Sequence, residues 1–324
     1  MKKQIKHSKM IMKYDCDKEN ALVMYKFETE NTASADIVKA ADANFFLAVA
    51  GDRPAPMEMC ACMAGRGEGT KCISCEHDES GLVATYLCEG DKLEVTVNMQ
   101  FIQGADAIRQ INSVKNVSQE NVTITHFSSA VITGIAAGGL AKWYLDESKI
   151  KIHYCLSHWQ GEAQWRTDSP AHLGIYKKTA HFWDTTAWRT RSVGSWSTGR
   201  QYPLVMLEDT ETGTIWYMEL EAGYSWTIEV GNRNGKGMDE GTFYMEANAA
   251  DEETGFVKVL KPGEVFEAAP ALFGCTDGSF EEAVRQLTIC KRKTTLAKWN
   301  QENIAPACFN DYWIASGEPE NGIK

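Results

Sequence analysis

Four cysteines lie close enough in the sequence to form a metal site. Cys60 and Cys62 are followed, after a glycine-rich segment, by Cys72 and Cys75, so that four thiols fall within sixteen residues. Four thiolates in a tetrahedral arrangement bind zinc, and close pairs of cysteines are typical of such sites. The first pair has the spacing C-x-C, whereas the commoner zinc pattern has two C-x-x-C pairs. We therefore favour reduced loop cysteines, keep zinc as the alternative, and expect no metal or cofactor.

A second group, residues 157–166, combines aromatic and charged side chains. It reads SHWQGEAQWR, with Trp159 and Trp165 on either side of a glutamate. Indole rings stack on the C–H faces of sugars while polar neighbours hydrogen-bond to the hydroxyl groups. The composition predicts a surface that binds a ligand. The alternative, of equal weight, is a loop at a sheet edge in which Glu162 pairs with Arg166.

A third group, residues 182–200, carries three tryptophans and ends at Arg200. It reads FWDTTAWRTRSVGSWSTGR, and its arginines could hold carboxylates or sugar hydroxyls, or stack on indole rings. We interpret it as a loop that contacts a ligand or a neighbouring domain, in preference to buried core. The tryptophans of the second and third groups are Trp159, Trp165, Trp183, Trp188 and Trp196.

The composition argues against several classes of function. A formal net charge of −11 repels nucleic acid and anionic membranes. The N-terminal residues lack the apolar run of a secretory signal, and no apolar stretch is long enough to span a bilayer. We therefore expect a cytoplasmic protein with reduced cysteines and with no nucleic acid or membrane partner. The sequence also contains no phosphate-binding glycine loop, nucleophile elbow or His-Glu-x-x-His motif.

The elements that must position these groups read as β-strands. Residues 204–207 and 214–220 are apolar runs separated by an acidic turn, which predicts a hairpin. Residues 224–230 alternate, with aromatic and aliphatic residues on one face and Ser225, Thr227 and Glu229 on the other. These three runs predict an antiparallel meander with one apolar face.

Further strands are predicted along most of the chain. They are spaced about ten residues apart without helical periodicity between them, which favours a large antiparallel sandwich over a parallel α/β sheet. We expect a mostly β protein whose β domain covers residues 1–274. The predicted strands are residues 21–28, 45–50, 82–87, 93–101, 108–117, 122–127, 130–136 and 149–154, with a hairpin joining 82–87 to 93–101.

The only helical signal comes late in the chain. Ser279 and Glu282 have the spacing of a capping box, and apolar residues then recur at helical spacing as far as a basic run at 291–293. We expect a helix and a connector over residues 275–306. Residues 307–314 then have the composition of a buried strand, which needs neighbouring strands on both sides. The sequence is therefore expected to continue past Lys324.

The end of the chain resembles glycoside hydrolase family 36, whose members are mostly α-galactosidases. The resemblance is most specific at residues 306–313, PACFNDYW, which are similar to the first strand of that family's catalytic (β/α)8 barrel. The segment from Arg200 to Val230, and the run LKPGE at residues 260–264 with Pro270, are also similar to the family. The resemblance covers most of residues 20–324 and is diffuse in the first half.

The resemblance implies a fold and a role. The fold is an N-terminal β-supersandwich, followed by a helical connector and, over residues 307–324, the start of a barrel. Family members are retaining enzymes in which one aspartate attacks the anomeric carbon and a second protonates the leaving oxygen. Those aspartates belong to later barrel strands, so no catalytic residue is expected in this chain. Asp311, Tyr312 and Trp313 match first-strand positions near the galactose pocket.

These expectations leave more than one function open. The first is a non-catalytic lobe of an α-galactosidase-like enzyme, inactive alone, which acts on galactose-containing oligosaccharides only in the full enzyme and forms homo-oligomers through its β domain. The alternative is a freestanding carbohydrate-binding or assembly module that uses its tryptophan loops. A further alternative is a parent enzyme that acts as an α-N-acetylgalactosaminidase or transfers galactosyl groups. The substrate-binding residues predicted for the chain are Trp159, Trp165, Arg200, Asp311, Tyr312 and Trp313.

Overall fold

Strands account for most of the structure, which is a computed structural model. It describes residues 2–15, 22–32, 36, 41–51, 70–136, 149–175, 186–234 and 241–296. Contacts divide the chain into two compact units, Met1–Cys290 and Lys291–Lys324, and the strands of the described residues belong to the first. No helix within the described ranges is long and apolar enough to cross a membrane. The strand predicted at residues 307–314 lies outside the described residues.

The described residues contain twenty strands, a 3-10 turn (Glu252–Thr254) and a helix, α1 (Phe280–Thr294). The strands are β1 (Lys2–His7), β2 (Met10–Asp15), β3 (Val23–Thr29), β4 (Leu47–Val49), β5 (Lys71–His77), β6 (Gly81–Cys88), β7 (Leu93–Phe101), β8 (Ile108–Asn116), β9 (Val122–Phe127), β10 (Ala130–Ile135), β11 (Ile150–Leu156), β12 (Gln164–Asp168), β13 (Ala187–Ser192), β14 (Gln201–Asp209), β15 (Thr214–Leu220), β16 (Trp226–Asn234), β17 (Gly241–Asn248), β18 (Lys258–Leu260), β19 (Val265–Glu267) and β20 (Ala271–Asp277).

The first layer is a ten-stranded antiparallel sheet. Its strand order is β12-β11-β14-β15-β20-β8-β7-β6-β5, and β19 adds to β8. In β7, LEVTVNMQF, every second residue from Leu93 to Phe101 is buried, while the residues between them point to the opposite face. This alternation follows from the two-residue repeat of a strand. It gives the sheet an inner apolar face and an outer face that is largely polar.

The second layer consists of two smaller sheets, β1-β2-β3 and β10-β17-β16-β13. They meet where β3 lies beside β10. There the Thr133 hydroxyl donates to the carbonyl oxygen of Met24. Gly134 has a φ of +70°, and a Cβ at this position would lie 2.3 Å from the backbone of Tyr25. The junction therefore requires a glycine, because only glycine allows both this φ and this approach.

A third sheet, β18-β9-β4, covers part of the outer face of the second layer. Phe46, just before β4, packs edge-on against Tyr244 of β17, with 6.5 Å between the ring centroids. His126 of β9 bonds to Glu246 of β17 across 2.6 Å. The molecule is therefore a large antiparallel sandwich with an additional covering sheet, and the predicted mostly β fold is confirmed.

One apolar core fills the space between the two main layers. Phe27 of β3 packs edge-on against Phe273 of β20, and the indole nitrogen of Trp216 donates to the carbonyl oxygen of Phe27 across 2.6 Å. These residues are all fully buried. Burying large aromatic side chains on both layers supplies most of the driving force for the layers to pack together.

Amide side chains on β8 also join the layers. Gln110 and Asn112 point inward, although their positions interrupt the apolar pattern. The amide of Gln110 donates to the backbone oxygens of Asn44 and Ser129 at 2.8 and 3.2 Å, and that of Asn112 donates to Ser128 at 2.9 Å. Because buried amides need hydrogen-bond partners, these contacts fix the loops that lead into β4 and β10.

The hairpins predicted at residues 82–101 and 204–220 are confirmed as β6–β7 and β14–β15. The predicted meander is wrong, because β16 does not pair with β15. Instead β15 pairs with β20, and β16 crosses to the second layer between β13 and β17. With β14 on one edge and β20 on the other, β15 offers β16 no free edge. The polar face of β16 is also buried, since Thr227 and Glu229 are less than 5% exposed.

Helix α1 is confirmed, but the capping box is not formed. Ser279 donates from its hydroxyl to the carboxylate of Glu281, and Glu282 binds Arg285 and Gln286 further along the helix. The apolar face of the helix packs on the outer face of the ten-stranded sheet, where it covers Met206, Ile215 and Leu272 with Ala283, Leu287 and Cys290.

Replacing Gly134 by alanine is expected to lower the free energy of unfolding by about 2–4 kcal/mol, because the new Cβ would overlap the Tyr25 backbone at an unfavourable φ. Gly213→Ala is the matched control. Gly213 has a φ of +71° but nothing lies within 4 Å of its Cβ position. It should cost only about 1–2 kcal/mol. Urea unfolding of both variants checks this, and equal losses would contradict the tight junction between β3 and β10.

Candidate functional site

Two of the tryptophan-bearing segments meet at one place on the first layer. Residues 157–163 follow β11 and residues 193–200 precede β14, and we call them the tryptophan loops. The backbone N–H of Ser157 donates to the carbonyl oxygen of Arg200 across 2.8 Å, next to the pairing of Leu156 with Gln201. Trp159 is 58% exposed and Trp196 is 53% exposed. The structure thus brings the loops of Trp159, Trp196 and Arg200 together.

The first tryptophan loop contains strained backbone. Gln160 and Ala163 have φ values of +60° and +56°, in the left-handed region that side chains other than glycine disfavour by about 1–2 kcal/mol. His158 and Gly161 exchange two backbone hydrogen bonds that close the turn around Trp159. Such strain persists where a particular geometry is needed, and is more common at functional sites. The strained backbone therefore marks the exposed Trp159 as a candidate binding residue.

The proposed pairing of Glu162 with Arg166 is not formed. Glu162 accepts from the backbone N–H of Gln160 at 3.2 Å, and Arg166 donates to the carbonyl oxygen of Trp165 at 3.1 Å. The alternative interpretation of this segment as a salt-bridged edge loop is therefore wrong. What holds the loop is the backbone turn at residues 158–161 together with the contact to Arg200.

Trp165 is half-buried, unlike the exposed Trp159. It lies on β12, opposite Cys155 on β11, and its half-buried ring packs edge-on against Phe280 of α1, with 4.5 Å between centroids. In the sequence, Trp159 and Trp165 belong to one group. Only the positions of β12 and α1 show that the Trp159 ring is exposed on a loop while the Trp165 ring packs against a helix. A sugar-binding role for Trp165 stays a prediction.

A group of titratable side chains lies on the face of β11 and β12 opposite Trp165. Tyr154 donates to Asp168 across 2.8 Å, and the exposed His172 bonds to the other oxygen of Asp168. Burial and the nearby carboxylate raise the pKa of Tyr154 to about 12. The hydrogen bond from Tyr154, assisted by His172, holds the pKa of Asp168 below its usual value. Trp188 packs on Tyr154 with 4.9 Å between ring centroids.

A buried charge cluster lies on the outer face of the second layer. Arg189 of β13 binds Glu229 of β16 at 2.8 Å. It also binds Asp251, the residue that caps the 3-10 turn, at 3.2 Å and Glu253 within the turn at 3.0 Å. Burial opposes the charge of Arg189, but Glu229 and Asp251 outweigh it and raise its pKa. The hydroxyl of Thr227 donates to Asp251 at 2.9 Å. We call this group the Arg189 cluster.

His126 extends the Arg189 cluster into the covering sheet. Its ring bonds to Glu246 at 2.6 Å and lies 3.9 Å from Asp251. Burial lowers the pKa of His126, but the charge and hydrogen bond of Glu246 prevail and raise it above the ordinary value. Sequence reasoning did not locate the cluster. It noted that the arginines of residues 182–200 could hold carboxylates but placed them in a loop, whereas residues 187–192 form β13 and Arg189 binds Glu229 and Asp251. Charged residues at alternate strand positions ordinarily face solvent.

The remaining predicted residues are the four cysteines, Trp183 and the C-terminal site residues. Cys72 and Cys75 are half-buried on β5 beside the main core. Cys60, Cys62, Trp183, Asp311, Tyr312 and Trp313 lie outside the described residues. Within the described part of the chain, no group of three or more His, Cys, Asp or Glu residues has the arrangement of a metal site.

Comparisons with known proteins identify the fold. No protein family matches the sequence, and no curated protein matches it. Solved structures do match. They include an α-galactosidase from Lactobacillus brevis (TM-score 0.63, 11% identity, 90% of this chain and 42% of that chain) and a family 36 α-galactosidase from Geobacillus stearothermophilus in complex with stachyose (TM-score 0.64, 10% identity, 93% and 44%). The same Geobacillus enzyme in complex with raffinose has a TM-score of 0.65 at 8% identity, over 92% and 44% of the two chains.

The match covers the N-terminal part of these galactosidases. The chain spans about two fifths of their length. At these identities the likeness establishes a shared fold, which is the fold implied by the resemblance to family 36.

Replacing Arg189 by methionine is expected to cost about 3–5 kcal/mol of unfolding free energy, because buried carboxylates would lose their counter-charge. Arg191→Met is the control, since Arg191 is 54% exposed and contacts only Glu253 in the cluster. It should cost less than about 1 kcal/mol. Chemical denaturation measures both, and a similar small loss in the two variants would mean that the cluster is not held by Arg189.

The raised pKa of His126 predicts a pH dependence of stability. A group whose pKa is higher in the folded state stabilises the fold fully below its unfolded pKa of about 6.5, and this contribution is lost as the pH rises through the folded value. Unfolding free energies measured at about pH 6 and about pH 8.5 should therefore fall with pH, and His126→Gln should flatten the fall. An unchanged slope in the variant would rule out His126 as the source.

Proposed function

We propose that this chain is the N-terminal β-sandwich lobe of an α-galactosidase-like glycoside hydrolase. The observation that carries the proposal is the match of about 90% of the chain to the N-terminal part of several α-galactosidases, at TM-scores near 0.64. The resemblance of residues 306–313 to a first barrel strand agrees with it. Neither depends on the other, because one rests on the fold and the other on sequence.

In this proposal the chemistry belongs to the barrel. Retaining hydrolysis needs two carboxyl groups about 5–5.5 Å apart, one as nucleophile and one as acid. The buried acids Glu229, Glu246 and Asp251 of the described lobe are bound by Arg189 and His126 and serve the packing of strands. Asp311, Tyr312 and Trp313 would help to wall the galactose pocket once a barrel encloses them.

The lobe would cover the barrel and contribute loops beside the sugar cleft. The tryptophan loops suit that task, because Trp159 and Arg200 are exposed on a braced backbone. Trp165 would support them from the helix side. Homo-oligomer contacts through the β domain and a cytoplasmic location belong to the same proposal. The fine specificity, for galactose or N-acetylgalactosamine, would be set by the barrel around C2 of the sugar.

A second candidate is a freestanding carbohydrate-binding module. The exposure of Trp159 and Trp196 on adjoining loops favours it, since exposed indole rings are typical sugar-stacking groups. A freestanding module must itself bind galactosides. If the chain is instead a lobe of a larger enzyme, its tryptophan loops are expected to bind galactosides weakly or not at all without the barrel.

The proposed function predicts that this chain alone does not hydrolyse melibiose or p-nitrophenyl α-galactoside, because the proposal assigns both catalytic carboxyl groups to the barrel. A longer protein in which the lobe is followed by its barrel should hydrolyse both. Release of nitrophenol and galactose is measured at equal molar concentrations of the two proteins. Turnover by the short chain would overturn the proposal.

A further inference from the structure

A cleft lies on the outer face of the first layer, on the strands that α1 does not cover. It has a volume of about 780 Å³ and is bounded by the ends of β5 to β8 and by the turn between β5 and β6. We call it the outer cleft. Its size falls within the range of about 300–1,000 Å³ that is typical of small-ligand sites. It is separate from the tryptophan loops, none of whose residues lines it.

The floor of the outer cleft is a row of side chains across four strands. Glu76 pairs with Val83, Val83 with Asn98, and Asn98 with Ile111. These residues point outward because their neighbours on each of β6, β7 and β8 are buried. Val83 is 42% exposed, so the row presents an aliphatic surface between an exposed amide and an exposed carboxylate. Such a surface fits a ligand with both C–H and hydroxyl faces.

One wall of the outer cleft is preorganised. Asp78 accepts hydrogen bonds from the backbone and hydroxyl of Ser80 at 2.7 and 2.6 Å and from the backbone of Gly81 at 3.2 Å. The side chain of Gln103 donates to the carbonyl oxygen of Glu79, and the N–H of Phe101 donates to Ser80. A wall that is ordered before binding costs less conformational entropy when a ligand arrives.

An ion pair between Arg109 and Glu221 lies on the side of the outer cleft opposite this wall. Arg109 donates from Nε and Nη2 to one oxygen of Glu221, at 3.0 and 2.8 Å. This geometry fixes the guanidinium and neutralises its charge, and leaves Nη1 without a hydrogen bond to any described residue. Gln100 lies beside Arg109 in the register, and its exposed amide, like that of Asn98, has no partner in the described part of the chain.

We propose that the outer cleft binds a neutral oligosaccharide. Two free amides and one guanidinium nitrogen supply donors and acceptors for hydroxyl groups, and Val83 and Ile111 supply the apolar floor. The carboxylates of Glu76, Asp78 and Glu79 repel an anion. Glu221 already balances the charge of Arg109, so this guanidinium does not require a charged ligand. A neutral ligand with many hydroxyl groups satisfies these groups without burying an unpaired charge.

Isothermal titration of the full chain with raffinose, stachyose and maltotriose tests the proposal, with a short peptide of glycine and serine as the comparison ligand. At least one sugar should bind with a dissociation constant of about 0.1–10 mM, and the double variant N98A/Q100A should weaken it at least about tenfold. The control variant Thr96→Ala should leave the affinity within about twofold, since Thr96 does not line the cleft. Trp159→Ala distinguishes binding in the outer cleft from binding at the tryptophan loops. Unchanged urea midpoints confirm that the variants fold.

Three outcomes overturn the proposal: no sugar binds, the peptide binds in place of the sugars, or sugar binding is lost in Trp159→Ala and kept in N98A/Q100A. The last of these would assign sugar binding to the tryptophan loops. The outcome is separate from the proposed function, because the longer protein could hydrolyse α-galactosides whether or not the outer cleft binds sugar.

Discussion

The pairing of one largely buried arginine, Arg189, with several carboxylates determines how the second layer is closed. Glu229 on β16, Glu246 on β17 and Asp251 beyond β17 are all less than 5% exposed. Burying such acids without a counter-charge would be unfavourable, so β13 must place Arg189 beside them and β9 must place His126. The covering sheet and the 3-10 turn therefore have to pack on the outer face of the second layer. This adds a third sheet to the two-layer sandwich.

Local pattern was enough to predict the hairpins and the helix. Apolar runs or alternation separated by acidic turns mark β6–β7 and β14–β15. Apolar residues at helical spacing mark α1, although its predicted capping box is not formed. It could not predict which sheet β16 joins, because that depends on β20, which lies about fifty residues later and occupies the edge of β15. It could not show that Thr227 and Glu229 are buried either, since the residues that bury and pair them lie on other strands.

The sequence predicted which residues belong to the candidate site, but it predicted their arrangement only in part. The sequence singled out Trp159, Trp165 and Arg200, and the structure brings the loops of Trp159 and Arg200 together while Trp165 packs under α1. The sequence pattern around a tryptophan in a polar segment does not distinguish a ring that faces solvent from one that packs against a helix. The outer cleft had no sequence signal, because its lining is a register of ordinary residues on four separate strands.

The fold is shared with galactosidases at identities of only 8–13%, so the likeness lies in strand order and packing rather than in common residues. The central claim is that the lobe works as part of a galactoside-cleaving enzyme. The most direct test is to purify the natural protein from its source cells with an antibody against the lobe and to assay the captured species for melibiose hydrolysis. The account predicts hydrolysis by a polypeptide more than twice the 36.1 kDa of this chain, since the chain spans 42% of its structural relative. A captured 36.1 kDa species without hydrolytic activity would contradict it.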